Sequence, residues 1–363
     1  MSIRITNLRK QFGPVVAVGG LSLAVGDGQM LVLLGPSGCG KTTTMRCIAG
    51  LERPDAGTIA IADKVVFDGN GFNVPINQRN VGMVFQSYAI WPHMSVFDNV
   101  AFPLRVKNID RREIEGRTAD ILTLVGLADL AQRGASLLSG GQMQRVALAR
   151  SLVMRPSVLL FDEPLSNLDA RLRDRLRIQL RELQTQFRIT SLYVTHDQRE
   201  ALALADEIAV MHSGELLQVA DPISIYSHPA SCTVADFLGY SNIFRVGEVR
   251  PAEDGHEIVL AESATVLLAA TAPAEAADLF ACIRPEDMAV APSNDKHSAN
   301  APNTLLGEVI LASFMGSFMQ YRVRADGGET FEVYSNDILG ACKLGARVRL
   351  HVPARSVHVL PRI

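Results

Sequence analysis

The chain has 363 residues, of which 48% are hydrophobic and 20% charged, with a mean hydropathy of +0.15. That length exceeds one ordinary domain and suits two, at roughly 100–200 residues each, and the composition excludes wholesale disorder. A formal net charge of −3 leaves no basic field to draw in nucleic acid or an anionic membrane. The five cysteines, Cys39, Cys47, Cys232, Cys282 and Cys342, contain no CxxC pair and suit a reducing compartment. The N-terminus meets charge before any long apolar stretch, and no run of about 18 apolar residues occurs, so neither a signal peptide nor a membrane span is expected.

In chain order, Ile3–Ile5, Leu21–Val25 and Thr58–Ile61 alternate as half-buried strands joined by glycine turns, which predicts a small antiparallel sheet. Met30–Leu34 is a continuous apolar run that ends in a glycine-rich turn and leads into a helical stretch, Thr42–Ala49. Residues from about 100 to 155 read as helical with charge-rich faces. Val158–Phe161 and Ser191–Thr195 are further apolar runs, short enough for central strands covered on both faces, and both end in polar residues. Buried strands alternating with helices predict an α/β fold with a parallel core sheet. The texture changes near Asp236–Tyr240. Beyond it Met319–Ala325, Thr330–Val333 and Arg347–Val352 alternate between glycine turns such as Asp326-Gly327-Gly328, as the strands of a barrel or sandwich do. Ala291–Pro302 offers almost nothing to bury and reads as a loop.

Three motifs carry chemistry. Gly35-Pro-Ser-Gly-Cys-Gly-Lys-Thr42 fits a phosphate loop, placed between a buried strand and a helix as that loop requires. Its glycines let successive N–H groups face a phosphate at a positive helix end, Lys41 would contact the β- and γ-phosphates, and the Thr42 hydroxyl would hold Mg²⁺. Val158-Leu-Leu-Phe-Asp162-Glu163 puts two carboxylates at a buried strand end. Asp162 would complete the Mg²⁺ shell, and Glu163 would act as base on the water that attacks the γ-phosphorus. Alone, this pair would be a solvated strand terminus or a helix cap; the phosphate loop upstream argues for chemistry. Leu138-Ser-Gly-Gly-Gln-Met-Gln-Arg145 opens a helix with Ser139 as N-cap and glycines that leave its first amides uncovered, either plain capping or a second anion site.

Together these motifs resemble the ATP-binding-cassette (ABC) ATPases, in that family's order and spacing, over roughly residues 1–237. The resemblance implies a P-loop cassette with a parallel core sheet, a flanking antiparallel sheet and a helical subdomain at about 88–155. It implies ATP and Mg²⁺ as cofactors, with ATP contacted by Gly35, Pro36, Ser37, Gly38, Cys39, Gly40, Lys41, Thr42 and Thr43. It further implies a head-to-tail homodimer in which Ser139, Gly140, Gly141 and Gln142 of one copy clasp the γ-phosphate held by the other. Gln86 resembles the glutamine that reaches Mg²⁺ and the attacking water and reports on the transporter contact. His196 resembles the switch histidine on the γ-phosphate, Asp169 belongs to the Ser166–Asp169 loop that couples the two sites, and Phe12 stands where an aromatic stacks on adenine. Cys39 reads as a small filler whose modification would block nucleotide. Met143 replaces a common glutamine without consequence for anion contacts made by Ser139 and backbone amides.

After Gln86 the stretch Ser87–Ser95 is rich in aromatic and Met side chains, which suits either docking of a partner helix or packing of Trp91 and Met94 under the helical subdomain. The wider sequence, with Asp221–Tyr226, Asp236–Gly239 and Ile283–Asp287, resembles importer ATPases of the maltose, polyamine and ferric-iron type, which carry a C-terminal TOBE (OB-fold-like) regulatory barrel, here 238–363. The resemblance implies separate integral-membrane permease chains, an extracytoplasmic solute-binding protein, no nucleic-acid partner and a place on the cytoplasmic face of the membrane. The polyamine and iron branch is favoured over sugar or glycerol-phosphate import. A soluble cassette acting on DNA or ribosomes is a remote alternative, since neither a coiled-coil insertion nor a second cassette is visible.

Overall fold

The computed structural model describes residues 2–263, 265–273, 278–293 and 302–363, so the loop expected over 291–302 lies largely outside the described residues. The chain divides into two compact units, Met1–Ile225 and Tyr226–Ile363.

In the first unit, β1 (Ile3–Phe12), β2 (Val15–Val25), β4 (Ala56–Ile61) and β5 (Lys64–Phe67) form an antiparallel sheet in the order β2-β1-β4-β5. Register shifts after Ile5, Leu8 and Lys10 break the alternation of β1, which is why only its first residues read as a strand. The second sheet contains β3 (Met30–Leu34), β6 (Val81–Val84), β7 (Val158–Asp162), β8 (Thr190–Thr195), β9 (Glu207–His212) and β10 (Glu215–Ala220), ordered β10-β9-β3-β8-β7-β6. All neighbours are parallel except the β9–β10 hairpin. Every residue of β3, β7 and β8 is buried, as continuous apolar runs demand of strands covered on both faces.

Helix α1 (Lys41–Ala49) buries Met45, Cys47, Ile48 and Ala49 in a core shared with Ile3, Ile5 and Leu8 of one sheet and Leu31, Leu33, Val158 and Leu192 of the other. Each fully buried Leu, Ile, Val or Met among them contributes about 1.5–3 kcal/mol by leaving water. Helices α2 (Val96–Val106), α3 (Arg111–Leu124) and α4 (Gly140–Leu152) hold a separate core of Val96, Val100, Leu104, Leu122, Val146 and Ala149. Ser95, Asp110 and Ser139 cap them, so each helix starts where a short polar side chain satisfies an otherwise free amide. Helix α5 (Ala170–Phe187) follows β7 and α6 (Gln198–Leu204) follows β8. Among the described residues no helix is long and apolar enough to cross a membrane.

Helix α7 (Pro222–Ser227) spans the division between the units, and α8 (Cys232–Phe237) packs on a strand of the second. That second unit has two antiparallel sheets. One contains β11 (Asn242–Ala252), β12 (Gly255–Leu260), β13 (Val266–Ala269), β14 (Leu279–Ile283) and β20 (His358–Pro361). The other contains β15 (Ala289–Pro292), β16 (Thr304–Phe314), β17 (Met319–Ala325), β18 (Thr330–Ser335) and β19 (Arg347–His351). Both feed one core, which includes Ile258, Ile283, Val309, Tyr321, Phe331 and Leu350. In β17, Tyr321, Val323 and Ala325 point inward while Arg322 and Arg324 point out, the alternation read from the sequence.

The far end of α1 is held by Arg79, only 2% exposed. Its Nη1 donates to the Cys47 and Ile48 carbonyls at 2.7 and 2.8 Å, its Nε to the Val74 carbonyl at 2.8 Å, and its Nη2 to Asn73 Oδ1 at 2.6 Å. A cation there satisfies terminal carbonyls and suits the negative helix end. Replacing Arg79 with Leu removes these bonds, leaving among the described residues only the Cys47 carbonyl with a second donor in the Gly50 amide, and chemical denaturation should show a loss of about 2–4 kcal/mol, one to two charged hydrogen bonds.

Candidate functional site

The sheet order builds the site. Strands β3, β8, β7 and β6 are consecutive neighbours and parallel, so the chain leaves all of them at one edge. That edge receives, in spatial order, the loop Gly35–Gly40, His196, the Asp162-Glu163 pair and Gln86.

The glycine loop needs its glycines. At Gly40, the residue preceding α1, φ is 104°, and a Cβ would collide with the Ala17 carbonyl of β2. Lys41 is 4% exposed, and its Nζ donates to the Gly35 and Pro36 carbonyls at 2.7 and 2.8 Å, folding the ammonium back into the loop. Cys39 Sγ lies 3.8 Å from that ammonium. Burial pushes the Cys39 thiol up against the lowering effect of Lys41, so it packs as a neutral group, in keeping with a filler. Thr42 Oγ1 donates to Asp162 Oδ1 at 3.3 Å. Asp162 is 8% exposed; burial raises its pKa, opposed by Thr42 and Arg46 and assisted by Glu163. A desolvated carboxylate beside a hydroxyl is a pair of hard oxygen donors and fits Mg²⁺.

Glu163 sits just beyond β7 with φ 42°, a left-handed conformation that costs a non-glycine residue about 1–3 kcal/mol and is retained where neighbours enforce it. Its amide donates to the Val194 carbonyl at 3.1 Å, and its Oε2 lies 3.1 Å from His196 Nδ1. Gln86 joins the same group: its Nε2 donates to Ser166 Oγ at 3.1 Å, its carbonyl accepts from Asn167 Nδ2 at 3.0 Å, and Ser166 Oγ donates to the Glu163 carbonyl at 2.9 Å. Pro36, Ser37, Gly38 and Thr43 share the loop and the first turn of α1.

Other expected residues lie apart. Ser139 caps α4 through a reciprocal box, with Gln142 N donating to Ser139 Oγ at 3.4 Å and Ser139 N to Gln142 Oε1 at 2.9 Å. Gly141 faces Leu172 and Leu176 of α5 so closely that a Cβ would meet Leu172 at 3.0 Å, so close packing as well as anion exposure calls for glycine. Among the described residues no hydrogen bond joins Ser139, Gly140, Gly141 or Gln142 to the Gly35–Thr43 loop of the same chain. Asp169 caps α5 by accepting from Leu172 N at 3.0 Å. Phe12, 46% exposed at the β1–β2 hairpin, has Lys10 Nζ 4.9 Å over its ring. Trp91 is half-buried, its ring packing 4.4 Å from Phe102 of α2, and Met94 is half-buried too, while Pro92 and His93 are exposed.

Sequence reading missed Arg173 and Glu200. Arg173 Nη2 donates to the Leu168 carbonyl at 3.2 Å, and its Nη1 to Asp197 Oδ2 at 3.4 Å, where Asp197 caps α6 directly after His196. Buried Glu200 Oε2 accepts from Tyr193 OH at 2.9 Å and Thr195 Oγ1 at 2.8 Å. The Asp197 cap after a strand end was a usable signal; carbonyl-seeking arginines have none.

Both units contain a match to a known protein family. The family described as "ABC transporter" matches residues 18–166, and the family described as "TOBE domain" matches 281–360. An Fe(3+) ions import ATP-binding protein of Rhizobium meliloti is 43% identical over 92% of this chain and 90% of its own length. A spermidine/putrescine import ATP-binding protein of Rubrobacter xylanophilus is 44% identical over 93% and 87%. A trehalose/maltose import ATP-binding protein of Thermococcus litoralis is 53% identical over 65% of this chain and 64% of its own length. The solved structure of CbiO1 from Clostridium perfringens, part of an ABC transporter complex, superposes with TM-score 0.57 at 27% identity, covering 62% of this chain and 90% of that one.

The raised pKa of Asp162 sets a pH dependence. Between the ordinary carboxylate range and its raised folded value, the folded chain holds more of this proton than the unfolded chain, so this group's contribution to stability falls as pH rises through that window. Without metal or nucleotide, Asp162→Asn should therefore melt higher than the parent at pH 7, and the difference should shrink once the pH drops below the window. Thermal unfolding in a chelator at both pH values checks this.

Proposed function

The chain belongs to the ATP-binding subunits of ABC transporters, and from that membership we propose that it drives import as a head-to-tail homodimer beneath a separate membrane permease. The observation that carries the reading is the convergence of the Lys41 loop, Asp162, Glu163, His196 and Gln86 on one sheet edge.

ATP would lie over the N-terminus of α1, its phosphates on the loop amides and its adenine against Phe12. Lys41 would exchange the Gly35 and Pro36 carbonyls for phosphate oxygens. Thr42, Asp162 and Gln86 are the residues to hold Mg²⁺, which when bound neutralises charge on the phosphates. Glu163 would accept the proton of the attacking water, with its carboxylate oriented by His196 Nδ1. Ser139, Gly140, Gly141 and Gln142 of the second copy would close over the γ-phosphate, and Asp169 would lie in the loop coupling the two sites. That division of labour accounts for the absence, among the described residues, of a hydrogen bond between the Ser139 end of α4 and the phosphate loop of the same chain.

The functional domains would be 1–237 for the cassette, with its helical subdomain at 88–155, and 238–363 for the regulatory barrel. The working location would be the cytoplasmic face of the membrane, with an extracytoplasmic solute-binding protein acting through the permease. Polyamine, ferric-iron or a related solute is favoured, because those relatives match through both units whereas the trehalose/maltose relative matches over 65% of the chain. Solute contacts lie in other chains. Isolation from native membranes should bring down a permease, and the ligand of the accompanying binding protein names the solute; recovery with ribosomes or nucleic acid would overturn the importer reading.

Glu163→Gln should keep ATP binding and lose about 10²–10⁴-fold in turnover, the usual contribution of a general base. It should also accumulate a Mg-ATP dimer on size exclusion. Lys41→Ala should lose nucleotide binding itself, measured by equilibrium dialysis.

A further inference from the structure

Just after Gln86 the backbone passes through two left-handed residues, Tyr88 at φ 60° and Ala89 at φ 48°. Such a pair persists only where its surroundings enforce it. One side chain reaches both: Arg150 of α4 donates Nη1 to the Ala89 carbonyl at 2.6 Å and Nη2 to the Tyr88 carbonyl at 2.8 Å, with its guanidinium 4.8 Å over the Trp91 ring. The next residue, Ser151, donates Oγ to the Met83 carbonyl at 2.8 Å. Two consecutive residues of α4 thus grip both shoulders of the loop that carries Gln86. From the other side, wholly buried Asn99 holds the Trp91 backbone, accepting from its N–H at 2.9 Å and donating to its carbonyl at 3.1 Å.

Helix α4 begins at Ser139, and Arg150 lies about 16 Å along its axis from that cap at 1.5 Å per residue. We propose that Arg150 is a positioning residue that ties the Ser139 end of α4 to the Gln86–Trp91 segment, so that closure on nucleotide at one is transmitted to the other. The proposal rests on the ATPase reading above. An arginine is required because a planar fork spans two carbonyls while its face lies on an indole; an ammonium is a single point charge.

Trp91 is the only tryptophan in the chain, so its emission reports this segment alone. The experiment uses full-length Glu163→Gln protein as parent, with Arg150→Ala and Arg150→Lys added separately. Mg-ATP binding is measured by dialysis, and the ATP-dependent change in Trp91 emission is followed in parallel. In the parent, emission should change over the same ATP range as binding. Both Arg150 variants should bind ATP within about twofold of the parent, as distant sites do, and lose at least half of the emission change. An undiminished change in folded variants overturns the proposal, as does loss of ATP binding in a folded Arg150→Lys chain. If Arg150→Ala does not fold, Arg150→Lys decides alone. A parent that binds ATP with silent Trp91 overturns this inference only; a parent that binds no ATP overturns the ATPase reading.

Discussion

Four adjacent parallel strands ending at one edge set the scale of the site. With neighbours about 4.8 Å apart, the groups after β3, β8, β7 and β6 span about 14 Å. Parallel pairing requires crossover connections, and those connections are the helices that supply the remaining parts: α1 behind the phosphate loop, α4 between β6 and β7, and α5 between β7 and β8. The spatial order of the motifs therefore differs from their chain order. His196, the last of them in sequence, stands between the phosphate loop and the Asp162-Glu163 pair, where Glu163 Oε2 meets it at 3.1 Å.

The motifs were legible because they sit where strands stop and the residue type must change abruptly. Met30–Leu34, Val158–Phe161 and Ser191–Thr195 were legible for a related reason: strands buried on both faces are apolar without interruption. β6 was not, because Gly82 interrupts it; that glycine is demanded from outside, since a Cβ there would press on Leu159 at 2.9 Å and Pro156 at 3.1 Å. β9 left a usable trace in Ile208–Met211 followed by the Ser213-Gly214 turn, which went unread. α5 buries only Leu176, Leu180 and Gln184 of its eighteen residues, too narrow a stripe to stand out among its arginines.

Arg150 and Arg173 beside the site, and Arg79 at the far end of α1, left no trace at all. Arg79, Arg150 and Arg173 spend their donors mainly on backbone carbonyls: those of Cys47 and Ile48, of Tyr88 and Ala89, and of Leu168. Every residue carries a carbonyl, so such a partner has no signature in residue type. Only the folded backbone shows which carbonyls lie within reach.

Around Glu163 the residues of one strand end are held by those of the next. Gln86 leans on Ser166, Ser166 on Glu163, Glu163 on His196, and Arg173 joins the carbonyl of Leu168 to the Asp197 cap that follows His196. Single hydrogen bonds of this kind contribute about 1 kcal/mol, too little to fix a loop alone, but a closed chain of them shifts as a unit. One donor between α5 and α6 stands outside these bonds. There Arg173 Nε is buried without a hydrogen-bond partner and stands 4.0 Å from Glu200 Oε1. Burial pushes the Glu200 carboxyl up, while the Thr195 and Tyr193 hydroxyls pull it down. The same guanidinium thus serves the Leu168 carbonyl and the Asp197 cap, while its Nε faces the Glu200 carboxylate across a gap too long for a hydrogen bond, so charge rather than hydrogen bonding joins α5 to α6 at that point.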